Sequence, residues 1–108
     1  MHDVEATRLL HSMLRIESRR GQEGRAARFL VAELAHHGLR AEVTPRGHAL
    51  AIAGAGPRTL ALVARLDCAS PTQSVRLEGS ELHGPGAVLG KGPLAAFSAA
   101  TIRFAKSL

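Results

Sequence analysis

The chain lacks tryptophan and tyrosine, and its 108 residues include three phenylalanines and one cysteine. With so few aromatic side chains there is no surface on which bases could stack, so nucleic-acid binding is not expected. The single Cys68 excludes an internal disulfide and favours a reducing compartment. No run approaches the ~18 apolar residues of a membrane span, and the start Met1-His2-Asp3-Val4-Glu5 has no signal core. We therefore expect a cytoplasmic protein without membrane contact.

Length and charge narrow the number of domains and the kind of partner that we expect. Residues 1–108 are enough for one domain with a single modest core. Fourteen lysines and arginines against nine acidic residues give a formal charge of +5. Such an excess favours acidic partners through long-range attraction.

Hydrophobic spacing predicts three helices. The first begins at a capping Asp3 and is broken by Arg19-Arg20-Gly21. The second runs from about Gln22 to His37 and is ended by Gly38, and the third has Pro93 in its first turn and reaches about Lys106. The first two helices are expected to present apolar faces to a common core.

The remaining apolar segments predict strands. Alternation from Leu39 to Val43 predicts an edge strand, and a second strand follows over Ala49 to Ala53. The nearly continuous apolar run from Thr59 to Leu66 predicts a central strand buried on both faces. Gly79-Ser80 between Val75-Arg76-Leu77 and Leu82 predicts a short hairpin. The predicted fold is α/β: two N-terminal helices, a small mixed sheet with a buried central strand, and a C-terminal helix.

Three stretches together resemble one known family. The segment from Leu82 to Phe97 is rich in glycine and contains Leu89-Gly90-Lys91-Gly92, a second stretch runs from Leu60 to Asp67-Cys68, and a third contains Ile16-Glu17-Ser18. They resemble the L-x-G-R-G-x-x-D-x-K-G loop, the strand ending in G-H-x-D-x and the opening L-x-x-I-x-S of the zinc-dependent aminoacylase/carboxypeptidase family. Within it, the chain looks closest to the acetylornithine deacetylase and succinyl-diaminopimelate desuccinylase type, in particular the hydrolases that release lysine or ornithine from an acidic carrier protein.

The resemblance implies a partial zinc-hydrolase domain of amino-acid biosynthesis. It covers the start of the family's catalytic domain, so the lid or dimerisation domain and the later catalytic residues would lie outside residues 1–108. Asp67 matches the family's carboxylate that orients a zinc-binding histidine, but Arg65 occupies the histidine position and Leu89 the position of a bridging aspartate. A guanidinium has no lone pair for a metal, and an isobutyl group cannot bridge two cations. We expect no zinc in this chain and no catalysis by the chain alone.

Other interpretations of these residues remain open. Asp67 could instead pair with Arg65 or cap the following turn. His48, His83, Cys68 and Asp67 are the candidates for a rebuilt metal site, although no pair has the spacing of a known zinc motif. A phosphate-binding loop fails because Gly92 stands where a hydroxyl is required, yet Lys91 and Gly92 could still bind an anion at the start of a helix.

Two classes of function follow. One is a metallohydrolase completed by another chain, in which a glutamate outside these residues would activate a metal-bound water. The other is a truncated, non-catalytic relative, or an interaction module for an acidic carrier protein. Because unpaired strand edges and uncovered apolar surface seek partners, self-association is also expected.

Overall fold

The fold is known from a computed structural model that describes residues 3–16, 18, 21–66, 76–78, 81–83 and 91–106. The elements in chain order are α1 (Asp3–Arg15), α2 (Gly24–His36), β1 (Arg40–Val43), β2 (Ala49–Ile52), β3 (Arg76–Glu78), β4 (Glu81–His83) and α3 (Lys91–Lys106). Strands β1 and β2 form one antiparallel pair, and β3 and β4 form another. The chain is thus of mixed α and β structure, with three helices and two small sheets in its described part.

The first two helices form where the periodicity predicts them. Leu9 and Met13 of α1 and Leu30 and Leu34 of α2 are four residues apart in each helix, and all four are buried. Helix α2 ends at Gly38, whose φ of +91° lies in the left-handed region that glycine adopts without strain. The backbone N–H groups of the residues that follow α2 then donate to its last carbonyl groups. The start and the end of α2 each agree with the prediction to within about two residues.

Strands β1 and β2 form a hairpin against α2. The turn between them closes through Thr44, whose N–H donates to the His48 carbonyl at 2.8 Å and whose hydroxyl accepts from the His48 N–H at 3.1 Å. Ala41 on β1 and Ala51 on β2 are cross-strand partners that pack against the core. The predicted strands over Leu39 to Val43 and Ala49 to Ala53 are confirmed.

Helix α3 completes the core from the far end of the chain. Ala95, Ala99 and Ile102 recur at helical spacing and are buried together with the apolar faces of α1 and α2. Pro93 lies in the first turn of α3, as predicted, because its missing N–H would have no helical partner there. In the part of the chain that the structure describes, no helix is both long enough and apolar enough to cross a bilayer.

The predicted central strand over Thr59 to Leu66 is wrong. This segment has no regular secondary structure, and Leu60 and Val63 are each 84% exposed. A strand buried on both faces needs hydrogen-bonding neighbours and a layer of structure over each face. Among the described residues no strand other than β1 pairs with β2, so the apolar run has no ladder to join. The predicted mixed sheet is also wrong, because both strand pairs in the described residues are antiparallel.

The short hairpin near residue 79 is confirmed in its described part. Arg76 pairs with His83 and Glu78 with Glu81, so the turn falls where the Gly79-Ser80 pair predicts it. Val75 and the Gly79-Ser80 turn itself lie outside the described residues. The hairpin therefore has the predicted place, and it forms a sheet separate from β1 and β2.

Substitutions at Ile102 and Leu60 test where the core lies. Ile102 is fully buried, so Ile102→Ala should lower the free energy of unfolding by about 2–5 kcal/mol through lost burial and a cavity. Leu60→Ala should change it by less than about 0.5 kcal/mol, because Leu60 is exposed. Urea denaturation followed by circular dichroism measures both. A cost at Leu60 equal to that at Ile102 would contradict the irregular, exposed segment and restore the buried strand.

Candidate functional site

Lys91 is the most unusual buried residue of the structure. It opens α3 and is 0% exposed, although lysine is rarely buried without a partner. Its Nζ donates a hydrogen bond of 2.6 Å to the backbone carbonyl of Ile16, just after the end of α1. The start of α3 is therefore attached to the end of α1 by a polar contact inside the fold.

Ser18 makes a second contact from the same short segment. It is 0% exposed, and its hydroxyl donates a hydrogen bond of 2.7 Å to the carbonyl of Leu66. The residues joined in this way are 48 positions apart, and Ile16 and Lys91 are 75 apart. Two hydrogen bonds to backbone carbonyls thus bring three distant segments together, around residues 16–18, 66 and 91.

These are the three segments in which the sequence shows its motifs. Leu66 directly precedes Asp67, and Lys91 directly follows the stretch that contains Leu89. Asp67, Cys68 and Leu89 lie outside the described residues, so their predicted roles stay predictions. What the structure does give is the anchoring of Leu66 by Ser18 and of Lys91 by Ile16.

Arg65 bears on whether this site suits zinc. Arg65 is exposed and interacts with another part of the chain. A guanidinium offers five N–H donors and no lone pair, so it cannot replace a histidine as a metal ligand. Among the described residues there is also no group of three or more histidine, cysteine, aspartate or glutamate side chains that could hold a metal ion. Arg65 therefore offers zinc no ligand at the position where the resemblance requires a histidine.

The other predicted site residues are placed separately. His48 is exposed at the β1–β2 turn, and the backbone of His83 belongs to β4. The remaining members of the proposed metal cluster, Asp67 and Cys68, lie outside the described residues, so that cluster stays a prediction. Gly92 is half-buried in the first turn of α3, beside a Lys91 whose Nζ points to Ile16. Anion binding at Lys91 and Gly92 likewise stays a prediction.

A groove lies between α1 and α2 on the described surface. It has a volume of about 330 Å³ and mixed charge, with Glu5 and Arg8 from α1 and Glu33 from α2 among its lining residues. His36 and His37 also line the groove, with ring centroids 5.5 Å apart in an edge-to-face arrangement. Their place at the end of α2 is favourable for imidazole beside the helix dipole. The groove contains none of the motif residues.

The sequence alone did not reveal the contacts of Ser18 and Lys91. Ser18 belongs to the motif Ile16-Glu17-Ser18, but nothing in that spacing identifies a partner 48 residues away. Lysine next to glycine at a helix start predicts an exposed side chain or an anion ligand. No local pattern distinguishes a lysine that turns inward to cap another helix.

Comparisons with known proteins agree with the motifs. No family model matches the chain. The "[LysW]-lysine hydrolase" of Deinococcus radiodurans is 38% identical over 100 residues, which is 91% of this chain and 28% of that protein. The "Putative [LysW]-lysine/[LysW]-ornithine hydrolase" of Pyrococcus furiosus is 37% identical over 99 residues, 91% of this chain and 30% of that protein. The protein of the same description from Thermococcus kodakarensis is 38% identical over 99 residues, again 91% of this chain and 28% of that protein.

These similarities cover nearly all of this chain and a small part of each relative. The chain spans less than a third of the length of the curated relatives it matches. The resemblance found from the motifs at residues 16–18, 60–68 and 82–97 is thereby supported for the [LysW]-lysine and [LysW]-ornithine hydrolases. The chain is similar to one segment of these hydrolases.

Proposed function

We propose that this chain is one segment of a hydrolase that cleaves a C–N bond to release lysine or ornithine from a carrier protein, and that the segment is not catalytic by itself. The observation that carries the proposal is that two hydrogen bonds bring the segments around residues 16–18, 66 and 91 together. The three meeting points belong to the three stretches that resemble the hydrolase family. Similarity to the relatives over 91% of this chain supports the same assignment.

The chemistry of the substituted positions supports a non-catalytic segment. Arg65 stands where the resemblance requires a histidine ligand, and its permanent positive charge repels a metal ion. Leu89 stands where it requires a carboxylate that bridges two metal ions. Both changes remove electron-pair donors without adding any. We therefore assign no zinc to this segment and derive no reaction step through one.

A second candidate is an interaction module for the acidic carrier protein. The formal charge of +5 favours it, and arginines are exposed on several elements, including Arg8 on α1, Arg25 on α2 and Arg40 on β1. Completion of a metallohydrolase by another chain is compatible with either candidate. Measuring binding of the LysW carrier by calorimetry at low and high salt distinguishes the module, because its affinity would fall as salt screens the charges.

The isolated chain should release no lysine from carrier-bound lysine under conditions in which the Deinococcus radiodurans relative does. The reason is the loss of donors at residues 65 and 89, and elemental mass spectrometry after dialysis should find zinc well below one equivalent. Arg65→His restores one donor, and it should leave the activity absent because Leu89 is unchanged.

The contradicting result is stoichiometric zinc that disappears in Asp67→Ala. Such a result would indicate a rebuilt metal site that includes Asp67 and would support an active enzyme. Since Asp67→Ala removes the carboxylate and leaves only a methyl group, a change in zinc content would report on binding provided that the circular dichroism spectrum is unchanged.

A double-mutant cycle on Ser18 and Lys91 tests the meeting of the three segments. Ser18→Ala and Lys91→Met each leave a carbonyl without its donor and should each cost about 1–3 kcal/mol of unfolding free energy. Because both act on residues 16–18, the double variant should differ from the sum by about 0.5–3 kcal/mol. Urea denaturation of the four proteins gives the coupling.

Ser98→Ala is the matched control for this cycle. Its hydroxyl is also buried and donates to a carbonyl at 2.8 Å, but the acceptor is Leu94 within the same helix. That hydrogen bond stays within α3, and Ser98 lies two helical turns, about 10 Å along the axis, from Lys91. Ser98→Ala and Lys91→Met should be additive to within about 0.5 kcal/mol. Additivity of Ser18→Ala with Lys91→Met would show that the two contacts do not share a structural unit.

A further inference from the structure

The groove between α1 and α2 is lined by one face of each helix. Glu5, Leu9 and Ser12 are three or four positions apart on α1, and Phe29 and Glu33 are four apart on α2, so each set shares a helix face. The space between the two faces has a volume of about 330 Å³. Small-molecule sites in proteins begin at about 300 Å³, so this groove suits a ligand of the size of an amino acid.

The lining combines apolar side chains with charged ones. Leu9 is buried, and Phe29 is half-buried. Glu5 and Glu33 are half-buried and Arg8 is exposed. Within the described part of the chain, no ion pair engages either carboxylate or the guanidinium. These three charged groups are therefore available to a ligand that enters the groove.

The signs of these charges define the ligand that fits. Two carboxylates and one guanidinium give a net charge of −1 in the groove, although the whole chain has a formal charge of +5. A complementary ligand has a net charge of +1. It carries two ammonium groups for Glu5 and Glu33, and one carboxylate that accepts paired hydrogen bonds from Arg8. A short methylene chain between these groups suits the apolar side chains of Leu9 and Phe29.

We propose that this groove binds a free α-amino acid with a cationic side chain. His36 and His37 add imidazole nitrogens, which accept hydrogen bonds from an ammonium group when the ring is neutral. Lysine and ornithine are the two members of the class that the proposed function releases, so the choice between members rests on that function, whereas the charge and size of the groove do not. None of the three segments joined by Ser18 and Lys91 lines the groove. The site is therefore one at which the amino acid binds without reacting.

A nuclear magnetic resonance titration of the full chain, labelled with ¹⁵N, tests the proposal at low salt. L-Lysine and L-ornithine should shift amide signals of residues 5–12 and 29–37 and bind with dissociation constants of about 1 mM or below. Norleucine lacks the side-chain amine and 1,5-diaminopentane lacks the carboxylate, so each should bind at least about tenfold more weakly than lysine. Equal affinity for norleucine and lysine overturns the ligand class, and the absence of lysine binding at millimolar concentration overturns the site.

Substitutions at two lining residues separate the contacts. Glu33→Gln keeps the size of the side chain and should weaken lysine binding by about tenfold. Arg8→Met should weaken lysine binding by a similar factor but should not weaken binding of 1,5-diaminopentane, which has no carboxylate for Arg8. The matched controls are Glu42→Gln and Arg40→Met, because both residues are exposed on β1 and neither lines the groove. An equal loss of affinity in Glu33→Gln and Glu42→Gln would show that lysine responds to overall charge, which overturns the site.

The proposed function fails in other measurements than the groove does. Lysine binding that depends on Glu33, together with release of lysine from the carrier by the isolated chain, would count against the non-catalytic segment while the groove stands. No lysine binding, together with no release and no zinc, would count against the groove alone. Neither result can be mistaken for the other, because the titration contains no carrier protein.

Discussion

The hydrogen bond from Lys91 Nζ to the Ile16 carbonyl is the contact on which the arrangement of the three helices depends. A lysine side chain in the interior loses its hydration, and this loss is tolerated where a close acceptor compensates for it. The acceptor here is a backbone carbonyl that the end of α1 leaves without a helical partner. One contact thus satisfies a helix end and a buried amino group together. It also fixes α3 beside α1, where Met13 and Ile102 share the core.

The second contact of the same segment extends this constraint to the middle of the chain. Ser18 holds the carbonyl of Leu66, so the backbone before Asp67 is fixed relative to α1 and α3. Both acceptors are backbone atoms, and a backbone acceptor does not depend on which side chain a neighbouring position carries. The positions of residues 66 and 91 can therefore persist although Arg65 and Leu89 carry no metal-binding groups. In this segment the backbone positions therefore do not depend on metal-binding side chains.

The parts of the fold that the sequence predicts are those with local causes. The three helices follow from apolar residues three and four positions apart, and α2 ends at Gly38 because glycine adopts positive φ. The hairpins follow from alternation and turn residues that are close in sequence. The strand over Thr59 to Leu66 is not formed because a buried strand depends on neighbours that composition does not supply. The sequence does not reveal the partner of Lys91 or that of Ser18, because these contacts span 75 and 48 residues.

The sequence of the run from residue 59 to 66 and its observed surroundings disagree, and the disagreement is informative. Apolar side chains gain free energy when they leave water, by about 25 cal/mol for each Å² buried, and Leu60 and Val63 gain little of it here. The same holds on the face of the β1–β2 sheet opposite to α2, where Leu50 and Ile52 exceed in size the alanines of the covered face. Both regions thus carry large apolar side chains that their contacts with other described residues leave exposed to water. The core of α1, α2 and α3 forms without these side chains, so its packing does not depend on their burial.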